Sequence, residues 1–266
     1  KLRITHSHNT KDNKPQNWKR KMYAYICKKI IRFYTTDFVA CGQEAGEALF
    51  GKKKSFKIVH NGIAIDAFRW NEKVRREYRE QFRVPEDQIV IGHVGRFQEQ
   101  KNHSFLIDIF KEYTKLNSNT KLFLIGTGEL QEIIKNKVKE EKLENKVEFL
   151  NSRNDVASLY QMMDLFLFPS LYEGLPVTLV ETQVAGLKSL VSNHVTKEVK
   201  FTNAIEFFDL ENHTAKQWAE KIMQMNLQRL DETKEIEKCP YDIQVVTKDL
   251  EDWYIDKLEK AKEGKK

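Results

Sequence analysis

The sequence predicts an α/β fold built on a doubly wound parallel sheet, preceded by the end of a second sheet domain. From residue 86 onward, short apolar runs alternate with longer amphipathic stretches. Runs such as DLFLFPS (164–170) are almost continuously apolar, as strands are when both faces of a sheet are covered. Strands that alternate with helices join in parallel through right-handed crossovers. With 266 residues, 40% of them hydrophobic, the chain is long enough for one large or two modest cores.

Before residue 85 the predicted elements form a less regular series. A strand and a long basic helix are followed by a strand, a short helix, a third strand and a polar helix. In order, these segments read KLRITHSHN, residues 18–34, DFVACG, QEAGEALFG, FKIVHNG and residues 71–84. The last helix ends at Pro85, because proline disfavours helical backbone in the residue before it. Since the chain opens with a lysine on a strand-like segment, we expect it to begin within a domain.

After residue 85 each apolar run is followed by a helical segment, apart from KSLVS, which leads to another strand. The predicted strands are IVIGHVGRF, TKLFLIGTG, KVEFLN, DLFLFPS, KSLVS and IEFFDL. The predicted helices are KNHSFLIDIFKEYTKLN, ELQEIIKNKVKEEKL, DVASLYQMM, the segment after Pro176, TAKQWAEKIMQMN and a final helix over YDIQVVTKDLEDWYIDKLEKAK. These short apolar segments, separated by polar turns, favour a βα alternation over separate helical and sheet regions.

Positive charge is concentrated at the start of the chain. The net charge is +6, but residues 1–60 hold 14 Lys and Arg against 4 Asp and Glu. Within this segment, residues 18–34 form a basic amphipathic pattern with Trp18, Met22, Ile26 and Phe33 on one side. Such a helix suits an anionic membrane surface, and equally a helix packed on a core with a solvated basic face. Nucleic acid is not expected as a partner, because no binding motif accompanies the charge.

Cysteine usage and apolar run lengths point to a cytoplasmic protein. Cys27, Cys41 and Cys239 form no CxxC pair and are odd in number, which fits a reducing compartment and argues against zinc. No apolar run reaches the roughly 20 residues of a membrane span, and no signal-peptide pattern opens the chain. The sequence has no D-x-D motif and its histidines are not spaced with carboxylates, so no metal is expected.

Two cations follow the first strand of the regular region. In HVGRFQEQKN (93–102), Gly95 stands at a turn, and Arg96 and Lys101 precede a helix. A guanidinium can fork onto phosphate oxygens and an ammonium supplies a point charge, so the pair suits a diphosphate. Taken singly, each is as well interpreted as an ordinary surface cation.

The segment YEGLPVTLVE (172–181) places a carboxylate on each side of a predicted helix start. Glu173 follows a buried strand, at the edge where open α/β sheets bind ligands. Gly174 allows close backbone approach, and Pro176 suits the first helical position, whose free N–H groups point toward a ligand. Glu181 lies near the apolar face of the helix and therefore needs a hydrogen-bond partner, for which sugar hydroxyls are candidates. For either glutamate alone, an ordinary solvated side chain is the plainer interpretation.

Two further strand ends carry polar or glycine residues. GTG at 126–128 resembles a dinucleotide fingerprint only weakly, because the third glycine and the later acidic residue are missing. Residues 151–155, NSRND, close another strand, and Asp155 is predicted to cap the following helix.

Together these motifs resemble the retaining GT-B glycosyltransferases of family 4. VGRF with KN, the GTGEL turn, NDV, DLFLFPS and EGLP occur in the family's order, and Glu173–Glu181 matches its E-x7-E signature. The resemblance covers nearly all of the chain, including ACGQEAGEALFG and KIVHNGIAIDAF. The segments RITHSHN and SNHVTKEV are most similar to bacterial enzymes of capsule or exopolysaccharide synthesis. The fold it implies is a Rossmann-like GT-B C-terminal domain plus the end of a second Rossmann-like domain.

The resemblance also implies roles for individual residues. It assigns catalytic positions to Glu173 and to His8, with His6 as the alternative to His8. It assigns substrate binding to Gly95, Arg96, Lys101, Asn151, Arg153, Gly174, Leu175, Pro176 and Glu181. Among these, Arg96 and Lys101 hold the donor diphosphate, Glu181 the ribose, and Glu173 with residues 174–176 the donor sugar, while residues 151–153 face the base. The implied reaction is a metal-free, front-face transfer with retention, in which the leaving phosphate helps to deprotonate the acceptor.

Domain boundaries and partners follow from the same resemblance. We expect residues 1–68 to be the end of the acceptor-side domain, 69–245 the nucleotide-sugar domain, and 246–266 a C-terminal helix with a Lys-rich tail. The donor is a nucleotide-diphosphate sugar, by default a UDP-sugar with GDP as the alternative, and the acceptor is a glycan or a lipid-linked glycan. The expected location is the cytoplasm, with residues 18–34 as the candidate contact to the inner face of the plasma membrane. This chain alone is expected to bind a donor better than it transfers sugar. The alternative functions are a sugar-nucleotide epimerase of the same fold and a non-catalytic glycan- or membrane-associated module.

Overall fold

The computed structural model describes residues 1–8, 17–230 and 233–263, and the chain divides into two compact units. The smaller unit comprises Lys1–Ala64 with Pro240–Lys266, and the larger unit comprises Ile65–Cys239. The strands are β1 (Ile4–Ser7), β2 (Asp37–Ala40), β3 (Lys57–Ile58), β4 (Ile89–Val94), β5 (Thr120–Ile125), β6 (Val147–Phe149), β7 (Leu165–Phe168), β8 (Ser189–Ser192) and β9 (Ile205–Phe208). The helices are α1 (Trp18–Tyr34), α2 (Gln43–Phe50), α3 (Ile65–Phe68), α4 (Glu72–Gln81), α5 (His103–Leu116), α6 (Gln131–Glu140), α7 (Val156–Met162), α8 (Val177–Val184), α9 (Ala215–Gln224), α10 (Thr233–Ile236) and α11 (Ile243–Glu263).

The larger unit is organised by a parallel sheet whose strand order reverses in the middle. Among the described residues its six strands are ordered β6-β5-β4-β7-β8-β9, and every pairing is parallel. The chain builds outward from β4 through β5 to β6, then returns to the other side of β4 with β7. The order therefore switches between β4 and β7, where Ile91 pairs with Leu165. In sheets of this kind the crevice beside the switch point is the usual ligand site.

Apolar strands and one-sided helices form the core of this unit. β7 is buried at all four positions, as expected for a strand covered on both faces. From α5, Leu106, Ile107 and Phe110 are also fully buried, in one cluster with Trp218 of α9. Thr214 begins α9 with a capping box, accepting from the Gln217 backbone while the Gln217 side chain bonds back to it. These contacts fix the strands and hence the loops that follow them.

A buried arginine ties α4 to the sheet. Arg79 is only 1% exposed and donates to the carbonyl oxygens of Met162 and Gln88 at 3.1 and 2.6 Å. It also contacts the Asp164 carboxylate, 3.3 Å away, which in turn accepts from Val90 N. Partners of this number are needed to compensate for a buried guanidinium. The network holds the start of β7 against β4.

In the smaller unit a parallel sheet ordered β1-β2-β3 packs against α2. The side of α1 that faces its own unit is marked by Lys28 and Arg32, which donate to the Ala48 and Leu49 carbonyl oxygens of α2. Ile31 of α1 also packs against the core cluster of this unit, but the predicted apolar side of the helix is exposed, with Trp18 at 68% and Phe33 at 80%. Within the described chain the apolar stripe of α1 is thus not packed on the core of this unit.

The predicted series of strands and helices is confirmed, with shifts of a few residues at element ends. The two compact units divide the chain differently from the predicted segments, because the chain from Pro240 returns to the smaller unit. There Ile63 and Asp242 form a parallel bridge, and Ile63 N donates to Tyr241 O at 2.8 Å. No helix in the described part of the chain is long and apolar enough to cross a membrane.

Candidate functional site

The turns after β4 and β5 approach each other so closely that glycine is required. Gly126 has a φ of +139°, and a Cβ there would lie 2.1 Å from the Gly95 carbonyl oxygen. A Cβ on Gly128 would lie 2.5 Å from the Phe97 carbonyl oxygen. Backbone packing between two turns therefore accounts for the GTG segment. Gly95 directly follows β4, and its N–H donates to Ile125 O at 2.9 Å.

The two predicted phosphate-binding cations have different surroundings. Arg96 is exposed, and no described residue pairs with its guanidinium. Lys101 is partly buried, and its Nζ lies 2.8 Å from Oε1 of Glu173 and 4.7 Å from the centre of the Phe168 ring. Arg96 is thus available to a ligand as it stands, whereas Lys101 is engaged by the carboxylate.

Glu173 is 8% exposed and is held by residues of the loop after β4. Besides the Lys101 ion pair, Gln100 Nε2 donates to Glu173 Oε2 and to Tyr172 O, each at 3.0 Å. Leu171 N donates to the Gln100 carbonyl oxygen at 2.9 Å. The two loops that border the switch point are therefore joined through backbone and side chains. The sequence did not predict this pairing of Lys101 with Glu173, because the residues are 72 positions apart.

Glu181 lies on α8 beside a fully buried tyrosine. Tyr160 of α7 donates its hydroxyl to Glu181 Oε2 at 2.8 Å. Burial raises the pKa of Glu181, and the hydrogen bond from Tyr160 opposes that rise. Burial and the neighbouring carboxylate together raise the pKa of Tyr160 well above its usual value. The polar partner predicted for Glu181 is thus present in the protein itself.

The segment between the glutamates leads into α8 with free backbone donors. Pro176 is the residue before the helix, so its predicted place inside the first turn is wrong by one position. Among the described residues, no side chain makes a cap hydrogen bond to this end of α8. Gly174 and Leu175 are half-buried in the loop that precedes it. Leu179 N donates to Pro176 O at 3.0 Å, whereas the N–H groups of Val177 and Thr178 have no described partner and can donate to an anionic or hydroxyl ligand.

The residues predicted to face the base lie after β6. Asn151 has a φ of 48°, is exposed, and accepts from Gln131 Nε2 at 2.7 Å. Arg153 donates through Nε and Nη2 to the Asp155 carboxylate at 2.8 and 2.6 Å, which lowers the pKa of that carboxyl. Tyr78 O–H also donates to Asp155. The predicted capping role of Asp155 is wrong: the residue stands before α7, but its side chain makes no cap hydrogen bond.

His8 and His6 belong to the smaller unit. Their rings stack with centroids 6.2 Å apart, and His6 Nε2 is 2.9 Å from the Tyr254 hydroxyl. Partial burial, and secondarily His8, lowers the pKa of His6. His8 is exposed at the end of β1, at the position predicted for it. Its catalytic role remains a prediction.

Two buried histidines beneath the loop after β4 were not predicted as part of the site. His93 donates its Nδ1–H to Leu167 O at 2.8 Å, and the ring of His103 stacks on that of Phe97 with centroids 4.2 Å apart. Neither ring nitrogen of His103 has a described hydrogen-bond partner. Burial, together with nearby Lys101, lowers the pKa of His103 to about 4. Burial likewise lowers the pKa of His93 well below its usual value. Both rings are therefore neutral near the Lys101 ammonium. The sequence signal that could have identified them is their position on either side of the segment VGRFQEQKN.

Comparison with known proteins agrees with the arrangement. Residues 74–238 match the family described as Glycosyl transferases group 1. A protein named as a glycosyltransferase, EpsF of Bacillus subtilis (strain 168), is 34% identical over 202 residues, which are 74% of this chain and 53% of EpsF. The capsular polysaccharide biosynthesis glycosyltransferase CapH of Staphylococcus aureus is 28% identical over 96% of this chain and 70% of its own length. This chain thus spans about half the length of EpsF.

A solved structure shares the fold. Anabaena HepE, crystallised with UDP and glucose, superposes with a TM-score of 0.75 over 94% of this chain and 70% of that protein. The sequence identity is 17%, so this likeness bears on the fold alone. It confirms the predicted GT-B architecture with its parallel sheets.

Proposed function

Because the chain belongs to the Glycosyl transferases group 1 family, we propose that its larger unit binds a nucleotide-diphosphate sugar, by preference a UDP-sugar. The whole protein would transfer that sugar, with retention, to a polysaccharide or lipid-linked acceptor in cell-surface polysaccharide synthesis. One observation carries the proposal: Arg96, Lys101 and Glu173 follow the two strands at the switch point, with the open start of α8 beside them. The names of EpsF and CapH and the UDP bound by HepE support it.

Each of these residues contacts the part of the donor that suits its charge. Arg96 and Lys101 neutralise the diphosphate and the charge that develops on it as the sugar leaves. Glu181 accepts from the ribose hydroxyls, and Glu173 with the backbone of Gly174 accepts from and donates to the sugar. The proton of the acceptor hydroxyl passes to the departing phosphate, so no side chain serves as the nucleophile. Since these protein cations can carry the electrostatic work, we propose that transfer proceeds without a metal.

Calorimetric titration with UDP, GDP and their hexose derivatives tests the proposal. Wild-type protein should bind one of these nucleotides, and Arg96→Ala should weaken that binding at least tenfold, because a charge-assisted fork onto phosphate is lost. Arg76→Ala is the matched control, since Arg76 is an exposed arginine of α4 that pairs with Glu72 in the same unit. If Arg96→Ala and Arg76→Ala bind equally well, the diphosphate assignment is wrong. Transfer of labelled sugar to a lipid-linked acceptor then separates an enzyme from a non-catalytic module.

We further propose that α1 places the protein on an anionic membrane surface on the cytoplasmic side. Its exposed apolar side chains include Met22, Ile26 and Phe33, and lysines flank them. Apolar insertion and attraction to anionic headgroups act together on such a helix. We expect co-sedimentation with phosphatidylglycerol vesicles at low salt and its loss in the double variant Ile26→Ser, Phe33→Ser.

The control for this experiment is Leu258→Ser, which removes an exposed apolar side chain from α11 of the same unit. Binding that is unchanged in the double variant, or that is absent at low ionic strength, would remove the membrane from the proposal.

A further inference from the structure

The two oxygens of the Glu173 carboxylate are held in different ways. Oε1 lies 2.8 Å from the charged Nζ of Lys101. Oε2 accepts from the neutral side-chain amide of Gln100 at 3.0 Å, and the same amide donates to Tyr172 O at 3.0 Å. The backbone carbonyl oxygen of Gln100 also accepts from Leu171 N. One glutamine therefore fixes both the carboxylate and the backbone next to it.

Lys101 and Gln100 differ in what a donor would do to them. The ammonium is a mobile point charge on a flexible stem, and a diphosphate competes with one carboxylate for it. The amide of Gln100 carries no net charge, so a diphosphate gives it little reason to leave Glu173. When Lys101 turns to the phosphates, Oε1 loses its partner and Oε2 keeps its own. A carboxylate oxygen freed in this way is an acceptor for a sugar hydroxyl.

We propose that Gln100 is a positioning residue for the donor sugar, which keeps the Glu173 carboxylate in place while Lys101 exchanges Oε1 for the diphosphate. This inference rests on the proposed function, because it takes Glu173 as the sugar-binding carboxylate. It assigns discrimination between a nucleoside diphosphate and its sugar conjugate to a residue that itself touches neither. A purely structural role for Gln100 would instead make it a link between two loops, and its loss would then weaken both ligands equally.

The test compares UDP with UDP-glucose, UDP-galactose and UDP-N-acetylglucosamine in calorimetric titrations of the 266-residue protein. The quantity measured is the ratio of the affinity for the best UDP-sugar to the affinity for UDP. Gln100→Leu removes both N–H donors with little change in volume, and we expect the ratio to fall about tenfold while UDP affinity stays within about twofold. Gln100→Glu keeps the shape but sets a second carboxylate against Oε2, so the ratio should fall further.

Gln98→Leu is the matched control, because Gln98 lies in the same loop and its side chain makes no hydrogen bond to a described residue. A thermal melt of each variant shows whether the fold is intact. An unchanged ratio in Gln100→Leu, or equal loss of UDP and UDP-sugar, overturns the positioning role while the donor-binding proposal stands. A wild-type protein that binds UDP but no UDP-sugar more tightly does the same. A wild-type protein that binds no UDP or UDP-sugar, and no GDP or GDP-sugar either, overturns the donor proposal and this inference together.

Discussion

At the residue scale, each glutamate of the 172–181 segment depends on a donor from another element. Gln100 and Lys101 hold Glu173 from the loop after β4, and Tyr160 holds Glu181 from α7. A buried carboxylate without such a donor would cost a large part of the stability of the unit. The donors hold Oε2 of each carboxylate, from Gln100 in Glu173 and from Tyr160 in Glu181.

Tyr160→Phe removes one hydroxyl and isolates the contribution of this contact at Glu181. We expect UDP affinity at neutral pH to fall about tenfold, in the range of a hydrogen bond to a charged group. The pKa of Glu181, already raised by burial, should rise further without the tyrosine O–H. Because only the ionised carboxylate is a full acceptor, affinity should decline as pH falls through that pKa, and the decline should begin at a higher pH in the variant.

Titration calorimetry from pH 5 to 8 measures both effects. Tyr113→Phe serves as the control, since Tyr113 is a buried tyrosine of α5 in the same unit that does not contact Glu181. A Tyr160→Phe profile that coincides with the wild-type profile would show that Glu181 is not the ribose acceptor.

At the scale of elements, the site depends on two turns whose backbones touch. Gly126 has a positive φ of +139°, which side chains rarely adopt, and it lies against the Gly95 carbonyl oxygen. An alanine at this position meets both an unfavourable backbone conformation and a backbone atom that cannot move aside. The turn after β5 thus determines where the turn that carries Arg96 can lie.

Gly126→Ala should therefore lower the free energy of unfolding by about 2 kcal/mol or more and weaken nucleotide binding as well. Urea denaturation gives the first quantity and UDP titration the second. Thr127→Ala, at the neighbouring position between the two glycines, should change stability by less than about 0.5 kcal/mol. If the two variants are equally stable, close packing is not the reason for glycine at this turn.

The sequence was sufficient for the elements but not for contacts between distant segments. Continuous apolar runs identify strands such as β7, and the loops after them follow directly. The pairing of Lys101 with Glu173 depends on strand order, which no local pattern contains. Arg79 lies in a mostly polar helix, and the carbonyl groups and the Asp164 carboxylate around it explain its burial. Asp155 was expected to cap a helix because its position fits, yet Arg153 competes for the same carboxylate.

On the scale of the whole molecule, two neutral histidines make the stability of the larger unit depend on pH. Burial and Lys101 lower the pKa of His103 from 6.5 to about 4. Between these values the unfolded chain binds more protons at this residue than the folded chain does. The stabilisation that comes from keeping His103 neutral is therefore fully present above pH 6.5 and is lost as the pH falls toward 4. The slope is at most about 1.4 kcal/mol per pH unit from this residue.

His103→Phe should flatten this dependence, because phenylalanine can stack on Phe97 and carries no titratable group. No hydrogen bond is lost, since neither ring nitrogen of His103 has a described partner. Part of the slope should remain, because burial also lowers the pKa of His93. Free energies of unfolding at pH 7 and pH 5 measure the change, and an undiminished difference between them would assign the pH dependence to other groups.

The switch in strand order affects how the larger unit folds during synthesis. β4 pairs with β5 soon after both are made, whereas its pairing with β7 must wait for a distant part of the chain. Closing so long a loop is entropically costly and therefore slow. The proposed donor-binding residues of this unit extend as far as Glu181. The chain past this residue must therefore leave the ribosome before all of them can come together. Nascent chains and early folding intermediates should consequently not bind a sugar nucleotide. A bound donor should protect the folded protein by slowing its unfolding.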